Sequence, residues 1–304
     1  MLLLVWFVFG TMILGILVGG TWWLIHGRKT KPTSGAVALF TALGSGVAFL
    51  GAVFLRTVSA PLLFPSPLSS EIARWLSDAQ FTKPLALGIC AVIILAFPLT
   101  TPSPQGSADL TPRNPFSFGR KRWFIGMASI VGVIVIVTVL AGMASEPDDE
   151  GLWRSITVDF GTTTIGTGIY GWYYSVPALA LLAVLLAATV LALWLIARPA
   201  LGVDHANDVL TRRWRTRNIV AVASGALLLH LSAVFNSVAG SASFHATVPV
   251  EADVLATFGP SFAALEPILT VGSFAAASVG YALWVGVLLS TTGARRAAVT
   301  RVRS

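Results

Sequence analysis

Seven stretches of this chain run apolar for long enough to cross a hydrocarbon core of about 30 Å, which takes roughly 17 to 25 helical residues. They fall near residues 2–25, 35–55, 84–99, 123–143, 176–197, 219–239 and 268–290. None shows the strict alternation of a half-buried strand, and polar residues gather between them. The pattern predicts an all-α fold with seven transmembrane helices, forming one integral membrane domain over residues 1–304. The third stretch is the shortest and ends at Pro98, so its other end is expected to draw on the segment before it.

Three of the polar connections are long, near residues 56–83, 144–175 and 240–267, and they share a grammar. Each has a proline with an acidic residue nearby (PSPLSSE, EPDDE, PVEAD), then a short apolar patch (IARWL, GLWRSI, VLATF). A second proline follows near the next span, at Pro84, Pro177 and Pro267, where a first helical turn tolerates the missing N–H. In the first loop Ser69 or Ser70 caps a helix on which Ile72, Trp75, Leu76 and Ala79 share a face and Arg74 reaches Glu71 or Asp78. That describes a helix lying in the membrane interface. The chain is therefore expected to hold an extra N-terminal span and loop (1–33), three degenerate hairpin repeats (34–99, 122–197, 218–290) and a basic tail (291–304). Three hairpins are also the plan of mitochondrial carriers, but their Px[DE]xx[KR] signature is absent.

Composition agrees with the pattern: 55% of the residues are hydrophobic and 11% charged, against about 25% charged in soluble domains. The net charge of +7 does not make this a nucleic-acid binder, because the basic residues fall in short runs between apolar spans. Their placement reports orientation instead. One set of connections carries sixteen Lys and Arg, among them Arg28, Lys121, Arg215 and Arg303, and the other set carries Arg56, Arg74, Lys83 and Arg154. Cationic loops stay on the cytoplasmic side, which puts the C-terminus in the cytoplasm and the N-terminus outside. MLLLVWFVFG lacks a cationic start and a cleavage site, so it is read as a span and not a secretory signal. Sixteen arginines against four lysines is a bias usual in GC-rich bacterial genomes, and the location expected is the cytoplasmic membrane.

Chemical motifs are few. Gly166, Gly168 and Gly171 have the spacing of a dinucleotide fingerprint, which works only where a glycine turn joins a buried strand to a helix facing the pyrophosphate. No strand–helix unit is expected there. The surrounding GLWRSITVDFGTTTIGTGIYGWYY is loosely similar to the pore-helix and filter segment of potassium channels, with Thr163, Thr164, Ile165, Gly166, Thr167 and Gly168 following the filter order. Thr167 stands where that family has tyrosine, Ile169 replaces its acidic residue, and the LWRS stretch is too far away. The stretch reads better as an ordered outer loop, with Trp172, Tyr173 and Tyr174 in the interfacial aromatic belt. EPDDE does not meet the spacing of a calcium loop and reads as an acidic turn. The four lysines, Lys29, Lys31, Lys83 and Lys121, lie outside the last span, which excludes retinal Schiff-base chemistry. GxxxxGK[ST] and HExxH are missing, and the single Cys90 rules out an internal disulfide or cysteine metal cluster. No cofactor, metal or catalytic residue is expected, and the chain is read as a non-enzyme.

Few ionisable side chains enter the spans. His230, in LLLHLSAVF, falls near the middle of the sixth, where a polar group is costly unless it faces a cavity or a partner. Ser237 lies on the same face, and Glu266 stands near the outer end of the seventh span. His230, Ser237 and Glu266 are the candidates for a transport path, with an interhelical hydrogen bond as the alternative role of His230. On the inner side DHANDVLTRRWRTRN pairs Asp208 with Arg212 and is expected to anchor the sixth span against anionic lipid, with a docking helix for a cytoplasmic partner as the alternative. Gly15 and Gly19 form a GxxxG, which permits close helix contact within or between chains. The function expected is a permease, or the membrane subunit of a transport system for a small solute. The alternative is a non-catalytic scaffold or assembly subunit of a cell-envelope complex. The partners implied are the lipid bilayer and either a separate ATPase or envelope-complex subunits; oligomeric state is not legible.

Overall fold

The computed structural model describes residues 2–26, 35–59, 75–98, 114–159, 164–198, 205–251 and 254–292. It is mostly helical. Seven long helices follow the seven apolar stretches: α1 (Leu2–His26), α2 (Gly35–Val58), α3 (Lys83–Ala96), α4 (Lys121–Met143), α5 (Trp172–Ala197), α6 (His205–Ala242) and α7 (Glu266–Ser290). Six of them are long and apolar enough on their own to cross a membrane. α3 has 14 residues, about 21 Å at 1.5 Å per residue. It reaches a full span only together with the short helical segment Trp75–Phe81, from which it is bent by 70°. The use of the preceding segment is therefore as the sequence predicts, but as a broken span and not a continuous one. The chain has the architecture of a multi-pass membrane protein.

α6 is the centre of the bundle. Its Ile219, Val222, Ala223, Ala226, Leu227 and Val234 are fully buried, and α3, α4, α5 and α7 pack around it. Between apolar helices in lipid there is no hydrophobic drive, so close approach of backbones and polar cross-links must supply the association. Both are present between α6 and α7. A Cβ on Gly225 would come within 2.5 Å of Trp284 Nε1, and the indole N–H donates to Val222 O at 3.0 Å. Farther along, Ser273 Oγ donates to Ser232 O at 2.9 Å. On its other side α7 meets α1 at the GxxxG. A Cβ on Gly15 would lie 2.5 Å from Tyr281 Cβ, and one on Gly19 would lie 2.7 Å from Ala282 O. The motif thus serves a contact within the chain.

One end of the bundle carries the basic connections, and the other carries β structure that the apolar pattern does not predict. β1 (Glu146–Pro147), β2 (Trp153–Asp159) and β3 (Thr164–Gly168) form an antiparallel sheet in that order, with Ser155 opposite Gly168 and Asp159 opposite Thr164. β4 (Ala246–Glu251) and β5 (Val254–Phe258) form a separate antiparallel hairpin. Three expectations change here. The fold is not purely α. The three long connections do not share one secondary structure, since the first ends in the helical segment Trp75–Phe81 while the second and third hold strands. And Pro177 lies inside α5 rather than at its start, because Gly171 caps that helix and Trp172, five residues before Pro177, already begins it. Pro84 and Pro267 do occupy first turns.

The interfacial helix is corrected in part. Ile72 and Arg74 lie outside the described residues, and Leu76 turns into the protein while Trp75 is exposed, so the two do not share an outward face. Of the basic tail, 291–304, all but residues 291 and 292 also lie outside the described residues.

Candidate functional site

The site grows from the bend between Trp75–Phe81 and α3. A helix break leaves carbonyls without their ladder partners, and inside an apolar bundle each must find another. Phe81 sits at this break with its ring fully buried. His230, near the middle of the apolar part of α6 and itself buried, places Nδ1 2.8 Å from Phe81 O. A carbonyl can only accept, so Nδ1 carries the hydrogen and His230 bridges α6 to the broken span. The Phe81 ring packs against Tyr170 and Tyr174, with centroids 4.6 and 5.0 Å away, and Tyr170 meets the His230 ring edge-on at 6.1 Å.

Tyr170 reaches this position because the chain between β3 and α5 dips into the bundle. Ile169, Tyr170 and Gly171 are all buried, and Ser241 Oγ near the end of α6 donates to Gly168 O at 2.8 Å. Gly171 is required by the packing: a Cβ there would lie 2.6 Å from Ser145 Cβ. Burial pushes the Tyr170 phenol up to about 12, so it stays protonated as a neutral donor. Thr138 of α4 is close enough to act on that hydroxyl, but the two form no hydrogen bond of ordinary geometry. Ser175, one turn into α5, is a third buried hydroxyl. Tyr170 Oη, Thr138 Oγ1 and Ser175 Oγ are all buried without a hydrogen-bond partner, a state that costs about 1–3 kcal/mol for each group.

The sequence candidates are distributed unevenly over this arrangement. His230 is at its centre. Ser237 lies about 10 Å farther along α6 by helical rise, and its carbonyl accepts from Ser241 Oγ at 3.1 Å. Glu266, in the first turn of α7, accepts from Thr270 Oγ1 of its own helix at 2.9 Å. No hydrogen bond or ion pair joins these three among the described residues. The neighbours of His230 are Phe81 and Tyr170 and, beyond Tyr170, Thr138, which sequence reasoning passes over. Tyr170 stands beside an aromatic run that reads as an interfacial belt, and Thr138 is a single hydroxyl in an apolar span; only the fold brings the two together.

The glycine fingerprint does lie at a strand–helix junction, contrary to expectation, since β3 leads through Ile169–Gly171 into α5. The junction is still unlike a nucleotide site. β3 is the edge of an antiparallel sheet and not the first strand of a parallel unit, and Gly171 is pressed against Ser145 rather than left open for a ligand. Thr163 of the filter-like run lies outside the described residues, and Thr164, Gly166 and Gly168 are paired in β3. In the EPDDE turn, Asp148 Oδ1 accepts the backbone N–H groups of Glu150 and Leu152, each at 2.9 Å, and Oδ2 pairs with Arg154. Arg154 also pairs with Glu150 at 2.9 Å. No protein family, curated protein or solved structure matches this chain.

Proposed function

We propose that this chain is a permease, or the membrane subunit of a transport system, for a small solute. The observation that carries the proposal is the pair of buried hydroxyls without partners, Tyr170 Oη and Thr138 Oγ1, beside a broken span held by one histidine hydrogen bond. Buried polar groups without partners are rare, and a group of them marks a place where a ligand or water completes the set. Broken helices at membrane depth are tolerated where they line such a place, and they are also where transport proteins bind and move. Neutral hydroxyls fit an uncharged, hydrogen-bonding solute better than an ion. The charge asymmetry supports an orientation in the cytoplasmic membrane with the strand-bearing end outside, and the absence of a phosphate-binding loop means that any ATP-driven step would belong to a separate subunit.

The test uses accessibility. In a Cys90→Ser background, a cysteine placed at Thr138 is buried from water in the described conformation. A permease must open it to one side during its cycle. A membrane-impermeant thiol reagent should label it in sealed vesicles, more slowly than an exposed control at Ser243 but to completion. Absence of labelling from either side would overturn the permease and favour a static scaffold of an envelope complex.

A further inference from the structure

The basic end of α6 holds a second buried polar group set, which the His230 site does not use. Arg212 Nη1 donates to Ile196 O at 3.0 Å and Ala197 O at 3.3 Å, closing the end of α5. Its Nε and Nη2 bind Asp208 at 3.2 and 2.9 Å. Arg215 Nη2 donates to Ala96 O at 2.7 Å, closing the end of α3. Arg217 Nη2 donates to Asn218 Oδ1 at 3.4 Å. These bonds explain the presence of arginine here as capping of helix C-termini.

They do not use all the donors. Trp214 Nε1, Arg215 Nε and Asn218 Nδ2 are buried and have no acceptor. Their residues are only 7, 5 and 1% exposed, so surface water does not account for them. At 100° per residue, positions 214, 218 and 215 fall at about 0°, 40° and 100° around the helix, a single arc. All three orphans are donors, and Asp208, the acidic side chain of this stretch, is committed to Arg212. An arc of unpaired donors around a guanidinium with no carboxylate partner among the described residues calls for a ligand that is anionic and rich in acceptors.

We infer that Trp214, Arg215 and Asn218 form a binding site for a phosphate-type anion at the basic end of α6. The same chemistry is offered by the headgroup of an anionic lipid and by free phosphate. Basic pockets between spans at that depth suit the former. The inference does not depend on transport.

Native mass spectrometry of the full chain in a non-ionic detergent tests it, with phosphatidylglycerol, phosphatidylcholine and inorganic phosphate as probes. Wild-type protein should retain one phosphatidylglycerol or one phosphate and release phosphatidylcholine; which of the two is retained identifies the source. Trp214→Phe keeps the ring and removes the donor, and Asn218→Ala removes the amide. Each should weaken retention about tenfold, the effect of losing roughly 1.4 kcal/mol. Arg213→Ala, at an exposed position of the same turn, should leave retention unchanged. Circular dichroism establishes that the variants are folded. Equal retention of the charged and zwitterionic lipids without retention of phosphate would overturn the site. So would a loss in Arg213→Ala as large as in Trp214→Phe, since diffuse surface charge would then suffice.

Discussion

His230 does for Phe81 what the next turn of an unbroken helix would have done. Removing the donor while keeping the apolar bulk, as in His230→Leu, leaves the Phe81 carbonyl buried and unmatched, and should destabilise the folded protein by about 1–3 kcal/mol, seen as a lower melting temperature in detergent. His230→Asn retains an N–H donor of similar reach and should recover most of that loss. Equal melting of the leucine variant and wild type would show that the bridge carries no stability. His230 was visible in the sequence because an ionisable group inside an apolar run stands out against its neighbours. Tyr170 and Thr138 give no such signal, since hydroxyls are common in membrane proteins and only the meeting of these two beside His230 is unusual. A different residue ties the turn between β1 and β2 to acid. The backbone N–H of Leu152, with Arg154 and the N–H of Glu150, holds the Asp148 carboxyl below its ordinary range, with desolvation opposing. Its folded value being the lower one, this stabilisation is complete above the unfolded value of about 3.9 and is lost as pH falls through the folded value. Pepsin should therefore begin to cut within 146–159 only as the solution becomes strongly acidic, whereas Asp148→Asn should be cut throughout the range in which pepsin works.

At the scale of elements, the apolar stretches were legible to within a few residues because a span has to be long and uninterrupted to shield its backbone from lipid. The bend was legible only as a shortfall in length. The strands were not, because WRSITVD and TIGTG are short and flanked by glycines and acidic residues, the composition of a loop, and their pairing is decided by partners on the other strand. The β-branched Ile156, Thr157 and Val158 were the signal available. Helix α6 also outgrew its prediction: the arginine-rich stretch continues the span without a break. The glycine contact gives an element-level prediction. Gly19→Val should force α1 and α7 apart, because even a Cβ at that position meets Ala282 O at 2.7 Å, whereas Gly20→Ala meets nothing within 4 Å and should be neutral. The melting temperatures of the two variants compare them directly, and equal values would mean that α1 is not held by this contact.

For the whole molecule, the distribution of charge makes orientation testable. A reporter active only in the cytoplasm should work when fused after Arg303 and fail when inserted at Asp149, within the turn between β1 and β2. The reverse result would invert the proposed orientation, and activity at both sites would change the number of crossings. The greatest length in the structure belongs to α6, whose 38 residues extend about 57 Å, well beyond a bilayer core of about 30 Å. It is tied at one end through Arg212 and Arg215 to the ends of α5 and α3, and at the other through Ser241 to Gly168 of β3. A rod anchored in this way works as a lever: a tilt imposed at the basic end must appear at the sheet, with no signal relayed from residue to residue in between. Spin labels at the exposed Leu210 and Ser243 should keep one sharp separation of about 50 Å under every condition that changes the accessibility of Thr138, and a broadened or second distance would show that the lever bends.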